Sequence, residues 1–175
     1  MKKSKFWLIG LLVLPSWVLA FTQTLVFTEQ DLQSRLNGIT PIQKQAVYAN
    51  LVLTDAKLVL LESDNLIQIK AFIDATILGG IHGSGSVTVQ GSLMYKSEQG
   101  AFYLNQARLT DLHIDQMSPE VVAQLKPLVE DVMVQSLSQK PIYQLDNNDM
   151  RQALLKGSLK DIKVSNKQVH VTLGL

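Results

Sequence analysis

The sequence predicts an α+β protein in which a curled antiparallel β-sheet wraps around one long helix in the C-terminal half. Long stretches between residues 47 and 115 alternate apolar and polar side chains, the pattern of half-buried strands. The apolar positions change phase within some stretches, which indicates bulges, and bulged strands give a strongly twisted, curled sheet. One apolar-faced helix, from about Ser118 to Gln139, follows these strands.

Residues 1–20 have the features of a cleaved export signal. Three lysines among the first five residues precede an apolar stretch at 6–14, and small or tolerated residues at 18–20 precede the expected cut. The apolar stretch is shorter than the roughly 20 residues that span a bilayer, which argues against an uncleaved anchor. We therefore expect cleavage after Ala20 and a single domain at residues 21–175.

The composition limits the compartment and the partners. No cysteine occurs, which excludes disulfides and the modified cysteine of a lipoprotein, so we expect a periplasmic protein that is not a lipoprotein. Three of the 16 basic residues lie in the leader, which leaves 13 against 15 acidic residues and a formal charge of −2 for residues 21–175. This balance disfavours nucleic-acid binding, and without a polybasic segment any membrane contact should be peripheral.

The first elements after the leader are a short strand and a short helix. The strand is expected at residues 24–27. Thr28 follows as the helix cap, with Asp31 at the third helical position, which is the pairing of a capping box. Gly38 is expected to end this helix.

The first long strand contains a phase change. Its apolar side chains occupy odd positions over residues 47–53 and even positions over residues 56–60. Because side chains alternate between the two faces of a strand, this change predicts a bulge near Thr54 and Asp55.

Three further strands are predicted before the long helix. The most regular covers residues 66–78, and its apolar face consists of Ile67, Ile69, Ala71, Ile73, Ala75 and Ile77. A flexible glycine-rich bend at residues 79–85 separates it from a strand at 87–95. The last of the three runs over residues 101–115 and changes phase again.

The long helix begins with Ser118 as cap and Pro119 at the first helical position. Its apolar stripe consists of Val121, Val122, Leu125, Leu128, Val129, Val132 and Met133. Pro127 lies inside the pattern and should kink or split the helix. Beyond the helix we expect extended chain at 141–143, a short helix at 147–157, and a hairpin of strands 159–164 and 168–173.

The residues that could carry chemistry form no convincing site. Asp111, His113 and Asp115 share one strand face and could bind a metal or run acid–base chemistry, but the positions between them are apolar, which is typical of a solvent-facing strand side. His82 and His170 have no spacing that joins them to other ligands. The glycine-rich bend lacks the Gly-Lys-Ser/Thr ending of a phosphate loop. We therefore expect no metal, no cofactor and no enzymatic activity.

A ligand site, if one exists, should lie between the helix and the sheet. Its wall would come from Leu125, Val129 and Met133 on the helix and from Ile73 and Ile77 on the facing strand. The other interpretation of the same residues is ordinary core packing. The apolar pattern fits both interpretations.

Four stretches occur in an order that spans nearly all of residues 21–175, namely LVFTEQDLQSRL, LVLTDAKLVL, EQGAFYLNQARLTDL and SPEVVAQLKPLVEDVM followed by QKPIYQL. In this order they resemble the YceB-like family of bacterial envelope proteins, whose biochemical function is unknown. That family is similar to the tubular lipid-binding superfamily, in which a curled antiparallel sheet wraps a long helix and encloses an apolar groove. The resemblance implies binding of a lipid or another hydrophobic ligand. This chain departs from the many lipoproteins among its relatives, because it lacks the anchoring cysteine.

We therefore expect a periplasmic, non-enzymatic binding protein for a lipid or other hydrophobic ligand. The alternative is a structural or interaction protein of the cell envelope with a filled core and no ligand. An internal tunnel would favour the first function, whereas a void-free interior with an exposed apolar patch would favour the second.

Overall fold

The structure, a computed structural model, describes residues 22–145 and 159–174. In chain order these residues form β1 (Thr22–Thr28), α1 (Glu29–Asn37), β2 (Ile42–Gln45), β3 (Ala49–Leu61), β4 (Leu66–Ile77), β5 (His82–Lys96), β6 (Ala101–Ile114), α2 (Pro119–Gln139), β7 (Tyr143–Gln144), β8 (Leu159–Ser165) and β9 (Gln168–Gly174). The predicted export signal at 1–20 and the predicted short helix at 147–157 lie outside the described residues.

The strands form two antiparallel sheets. The larger has the order β2-β3-β4-β5-β6-β7, and the smaller has the order β1-β9-β8. The larger sheet is not closed, because β2 and β7 are its outer strands and do not pair with each other. With two helices added to these sheets, the protein belongs to the α+β class, as the sequence predicts.

The strand β3 changes its buried side at a bulge. Its interior side chains occupy odd positions up to Leu53 and even positions from Ala56, and its register against β4 shifts between Thr54 and Lys57. Asp55 has a φ of 50°, a left-handed conformation that is typical of bulges and turns. The bulge lets both halves of one strand present apolar side chains to the same interior, and it confirms the prediction made from the phase change.

The predicted interior face of this strand is wrong at its first position. β3 begins at Ala49, and Val47 lies in the preceding turn with 93% of its surface exposed. The backbone N–H of Ala46 donates to the carbonyl of Ala49 at 2.8 Å and closes this turn. The alternating pattern in the sequence therefore continues beyond the end of strand pairing.

Only the first half of the predicted glycine-rich bend is a turn. Gly79 and Gly80 have φ values of 93° and 77°, whereas β5 already begins at His82. A Cβ atom at Gly85 would collide with the backbone of His113 on the neighbouring β6. The later glycines therefore permit close strand approach instead of flexibility, and the predicted bend is wrong beyond residue 81.

The helix α2 stays one helix through Pro127, so the predicted split does not occur. Proline lacks the N–H that would reach the carbonyl of Ala123, but both residues are exposed and water can replace that bond. The buried residues of α2 fall on one stripe, Leu125, Val129, Val132, Met133 and Leu137. No helix in the described part of the chain is long and apolar enough to cross a membrane.

One hydrophobic core joins both helices and both sheets. It contains the buried stripe of α2, Leu32 and Leu36 of α1, and the inward side chains of β3, β4, β5, β6 and β9. The β8–β9 hairpin matches the prediction, but β1 also pairs with β9 from Thr22 opposite Gly174 to Thr28 opposite Gln168. This pairing joins residues near both ends of the domain, so no local pattern could indicate it.

Candidate functional site

The two ends of the larger sheet differ in how they are covered. At one end lie the β2–β3 turn at residues 46–48, the β4–β5 turn at 78–81 and the β6–α2 connection at 115–118. The N–H of Leu78 donates to the carbonyl of Tyr48 at 3.0 Å, and the N–H of Asp115 donates to the carbonyl of Ser84 at 2.8 Å. These bonds place the three connections side by side, and we call this end the open end.

The opposite end, which we call the closed end, is covered by the smaller sheet. The Asn65 side chain in the β3–β4 turn donates to the carbonyl of Ile162 at 3.1 Å and accepts from the N–H of Val164 at 2.6 Å, both on β8. The ring of Phe27 on β1 lies 4.2 Å from that of Tyr143 on β7 and 5.8 Å from that of Phe102 on β6. This end also has a cleft of about 670 Å³, lined by Leu25, Val26, Phe27, Asp31, Ser34, Arg35 and Tyr143. The clefts at the open end differ from it because residues of α2 line them.

The largest opening at the open end lies between the last residues of β6 and the first turns of α2. This β6–α2 cleft has a volume of about 520 Å³. It is lined by Thr110, Asp111, Leu112, His113 and Ile114 of β6, by Met117, and by Pro119, Val122, Ala123 and Lys126 of α2. This volume lies within the roughly 300–1,000 Å³ that is usual for ligand sites, and six of the ten lining residues are apolar.

The cleft exists because α2 approaches the sheet only after its first two turns. No residue of α2 before Leu125 is buried. Further along, the Glu130 carboxylate accepts a hydrogen bond from the N–H of Leu109 at 3.3 Å, which holds the helix against β6. Among the described residues, β7 pairs with β6 only at Ala101 and Phe102, so no strand covers the β6 edge beside the cleft.

The β6–α2 cleft is lined by one basic side chain, Lys126, and by one acidic side chain, Asp111. Pro127 cannot donate to the carbonyl of Ala123, so a backbone acceptor is also left unused by the helix at the cleft residue Ala123. The cleft therefore combines an apolar wall with a cation and a hydrogen-bond acceptor at its helical side.

A second, smaller opening lies on the other side of α2. This cleft, which we call the Tyr48 cleft, has a volume of about 200 Å³. It is lined by Tyr48, Ile77, Leu78, Val121, Gln124 and Leu125. Because successive helical residues are rotated by about 100°, residues 121, 124 and 125 face away from residues 119, 122, 123 and 126. The first turns of α2 thus stand between two openings.

The structure brings the five predicted wall residues into one core cluster but leaves most of them without adjoining space. Ile73, Leu125, Val129 and Met133 are at most 1% exposed, and Ile77 is half-buried. Only Ile77 and Leu125 among them line one of the two clefts, the smaller Tyr48 cleft.

Sequence reasoning named Asp111, His113 and Val122, which line the β6–α2 cleft, but it did not name Met117, Ala123 or Lys126 as site residues. Their types are unremarkable for a connection and an exposed helix face.

The titratable residues near the clefts are solvated. His113 Nε2 lies 3.0 Å from Asp115 Oδ1, and both side chains are exposed, as is Asp111. Two hydrogen bonds hold the pKa of the Glu120 carboxyl below its usual range. The larger effect comes from the Ser118 hydroxyl, and the smaller comes from the backbone N–H of Glu120. Within residues 22–145 and 159–174, no group of three His, Asp or Glu side chains is arranged to hold a metal ion.

The chain was compared with known protein families and with curated proteins. The model of a family described as a protein of unknown function, DUF1439, matches residues 27–168, which include both clefts and the whole of α2. No curated protein matches the chain.

Proposed function

We propose that this chain, which belongs to the DUF1439 family of proteins of unknown function, is a non-enzymatic binding protein for a lipid or a similar amphipathic molecule. The observation that carries the proposal is the β6–α2 cleft, which offers about 520 Å³ of space beside apolar side chains. Apolar surface in such a cleft is favourable to cover with a hydrocarbon chain. Of the two charged residues that line the cleft, Lys126 on α2 can pair with an anion and Asp111 on β6 cannot, so the ligand proposed has an apolar body and an anionic head that lies on the α2 side.

The proposal also covers the export of the protein and the way in which the larger sheet packs around α2. We propose that the leader at 1–20 is cleaved after Ala20 and that residues 21–175 act in the periplasm without a lipid anchor. The larger sheet would curl around α2 as in the tubular lipid-binding superfamily, to which the YceB-like proteins are similar. The proposed wall of Ile73, Ile77, Leu125, Val129 and Met133 would then lie between helix and sheet, where Ile77 and Leu125 line the Tyr48 cleft. No cofactor takes part.

The alternative function is that of a structural or interaction protein of the cell envelope. Two observations favour it, since Ile73, Val129 and Met133 are packed in the core and apolar side chains are exposed at the open end. Replacing Val129 by Trp distinguishes a filled core from a ligand space between helix and sheet. In a filled core the larger ring should cost about 1–3 kcal/mol by overpacking, whereas beside a ligand space it should block uptake and leave the protein folded.

Titration with a fluorescent fatty acid tests the proposed binding directly. The chain should begin at Phe21, because the apolar leader would itself collect lipid. Ala123→Trp places a large ring in the β6–α2 cleft from an exposed position and should abolish probe binding while thermal unfolding stays unchanged. The matched control is Gln135→Trp, an exposed position of α2 that does not line the cleft, and it should bind as the wild type does.

Lys126 provides a second test of the ligand class. Lys126→Glu should weaken binding of the anionic fatty acid and leave binding of the corresponding fatty alcohol nearly unchanged, since only the former carries a charge. A wild-type chain that binds neither probe would contradict the proposed function. Equal loss of binding in Ala123→Trp and Gln135→Trp would contradict the assigned site.

A further inference from the structure

The exposed apolar side chains of this fold are concentrated at the open end. Val47 is 93% exposed, Leu78 70%, Tyr48 47% and Ile81 45%. These are four of the eight large hydrophobic residues that are exposed within the described part of the chain. They lie on two neighbouring turns, which the bond between Leu78 N–H and the carbonyl of Tyr48 holds together. We call these four side chains the apolar tip.

The apolar tip carries no formal charge. Residues 45–50 and 75–81 contain no Asp, Glu, Lys or Arg. The next charged residues along the same strands are Lys44 on β2 and Asp74 on β4, and Asp74 Oδ1 is 3.8 Å from His82 Nε2. Asp115 lies in the neighbouring β6–α2 connection. A cluster of exposed apolar side chains without charges is unfavourable in water and usually marks an interaction surface.

We propose that the apolar tip docks on a lipid bilayer and inserts its four side chains into the interfacial region. The tip consists of turns that project from the end of a sheet, and a bilayer accepts such protruding apolar groups without a shaped complement. The missing formal charge matches the boundary between headgroups and hydrocarbon, and a tyrosine ring is favourable at that depth. Docking in this way buries the tip against the surface that its chemistry fits.

Both clefts beside α2 lie at the same end of the larger sheet as the apolar tip. The Tyr48 cleft is lined by Tyr48 and Leu78 of the tip itself, and the β6–α2 cleft opens at the same end of the sheet. A docked molecule would therefore hold both openings at the membrane surface. The docking does not depend on a ligand in the β6–α2 cleft, so the two proposals can fail separately.

Flotation with phosphatidylcholine vesicles tests the docking. The chain beginning at Phe21 retains every described strand pair and the whole core, which lies within residues 27–173. This chain should float with the vesicles, and Val47→Ser with Leu78→Ser should lower its partition coefficient at least about tenfold. The matched control is Val59→Ser with Phe72→Ser, which removes two exposed apolar residues from β3 and β4 and should leave binding unchanged.

Tryptophan fluorescence gives a second test, in which docking produces a signal instead of abolishing one. Both tryptophans of the sequence lie at positions 7 and 17, so the chain from Phe21 has none. Leu78→Trp should show a blue-shifted emission on addition of the vesicles, whereas Val59→Trp should not. Because the apolar tip is uncharged, the shift should be nearly the same at low and at high salt.

Several results would overturn the docking proposal. They are a wild-type chain that stays in the aqueous phase, equal loss of flotation in both double variants, and flotation that high salt abolishes. Association of the wild type into a dimer that Val47→Ser with Leu78→Ser disrupts, without flotation, would assign the apolar tip to a second copy. Fatty-acid binding in solution by the same double variant should be unchanged, because neither residue lines the β6–α2 cleft.

Discussion

Thr28 and Asp31 show how two side chains fix the start of a helix. The N–H of Thr28 donates to Asp31 Oδ2 at 2.9 Å, and the N–H of Asp31 donates to Thr28 Oγ1 at 3.2 Å. The Thr28 hydroxyl also donates to Asp31 Oδ2 at 2.7 Å. The bonds from Thr28 hold the pKa of the Asp31 carboxyl below its usual range, and the hydroxyl of Thr28 contributes more to this than its backbone N–H does.

The lowered pKa predicts how stability depends on acid. Because the folded protein holds the Asp31 carboxylate ionised at lower pH than the unfolded chain does, the bond stabilises above the ordinary carboxyl pKa. This contribution is lost as the pH falls through the folded pKa. We expect Asp31→Asn to be less stable than the wild type at neutral pH and to lose less stability on acidification. Urea unfolding at a series of pH values measures this, and parallel stability curves would show that Asp31 contributes nothing.

Ile73 and Lys70 on β4 test the two faces of the larger sheet. Ile73 is fully buried and Lys70 is exposed, as the alternation in the sequence predicts. Ile73→Asp would bury a charge without a partner and should cost several kcal/mol, about 3 or more, or prevent folding. Lys70→Asp should change the free energy of unfolding by about 0.5 kcal/mol or less. Similar losses in chemical denaturation would contradict the face assignment.

At the scale of elements, α1 replaces a missing strand at the edge of β3. β2 pairs with β3 only up to Leu53, so the rest of this edge needs other partners. Gln33 donates to the carbonyl of Ala56 and accepts from the N–H of Leu58, both at 2.8 Å, and Glu29 accepts from the N–H of Leu60 at 2.8 Å. Residues four apart on a helix have about the spacing of residues two apart on a strand, which explains the match.

Removing the Gln33 side chain should lower the stability of the protein, because the β3 edge loses two hydrogen bonds. Gln33→Ala leaves two partly buried backbone groups without their bonds and should cost about 1–3 kcal/mol. Gln30→Ala is the control, since Gln30 is an exposed glutamine on the same short helix. We expect thermal unfolding to show a clear loss for the first variant and almost none for the second. A Gln33→Ala variant as stable as the wild type would mean that water can replace the hydrogen bonds of Gln33 to the backbone of β3.

The sequence predicts the elements that depend on local pattern better than those that depend on distant contacts. The bulge at Thr54 and Asp55 follows from a phase change, and the cap at Thr28 follows from residue types three apart. The pairing of β1 with β9 leaves no local signal. The β6–α2 cleft depends on how far the first turns of α2 stand from β6, which apolar periodicity does not report.

Across the whole molecule, the two ends of the larger sheet are covered by different elements, and each end has a cleft. The smaller sheet, α1 and the aromatic rings of Phe27, Phe102 and Tyr143 cover the closed end. The open end has two clefts on opposite sides of α2 and the apolar tip beside them. Exposed apolar side chains are therefore concentrated at the end that the smaller sheet does not cover.

Native mass spectrometry of the gently purified protein tests the central claim most directly, which is that the β6–α2 cleft holds an amphipathic molecule. We predict one lipid-sized adduct per chain, present in the wild type and in Gln135→Trp and missing from a folded Ala123→Trp variant. A wild-type protein without any adduct, or an adduct that persists in Ala123→Trp, would contradict the account.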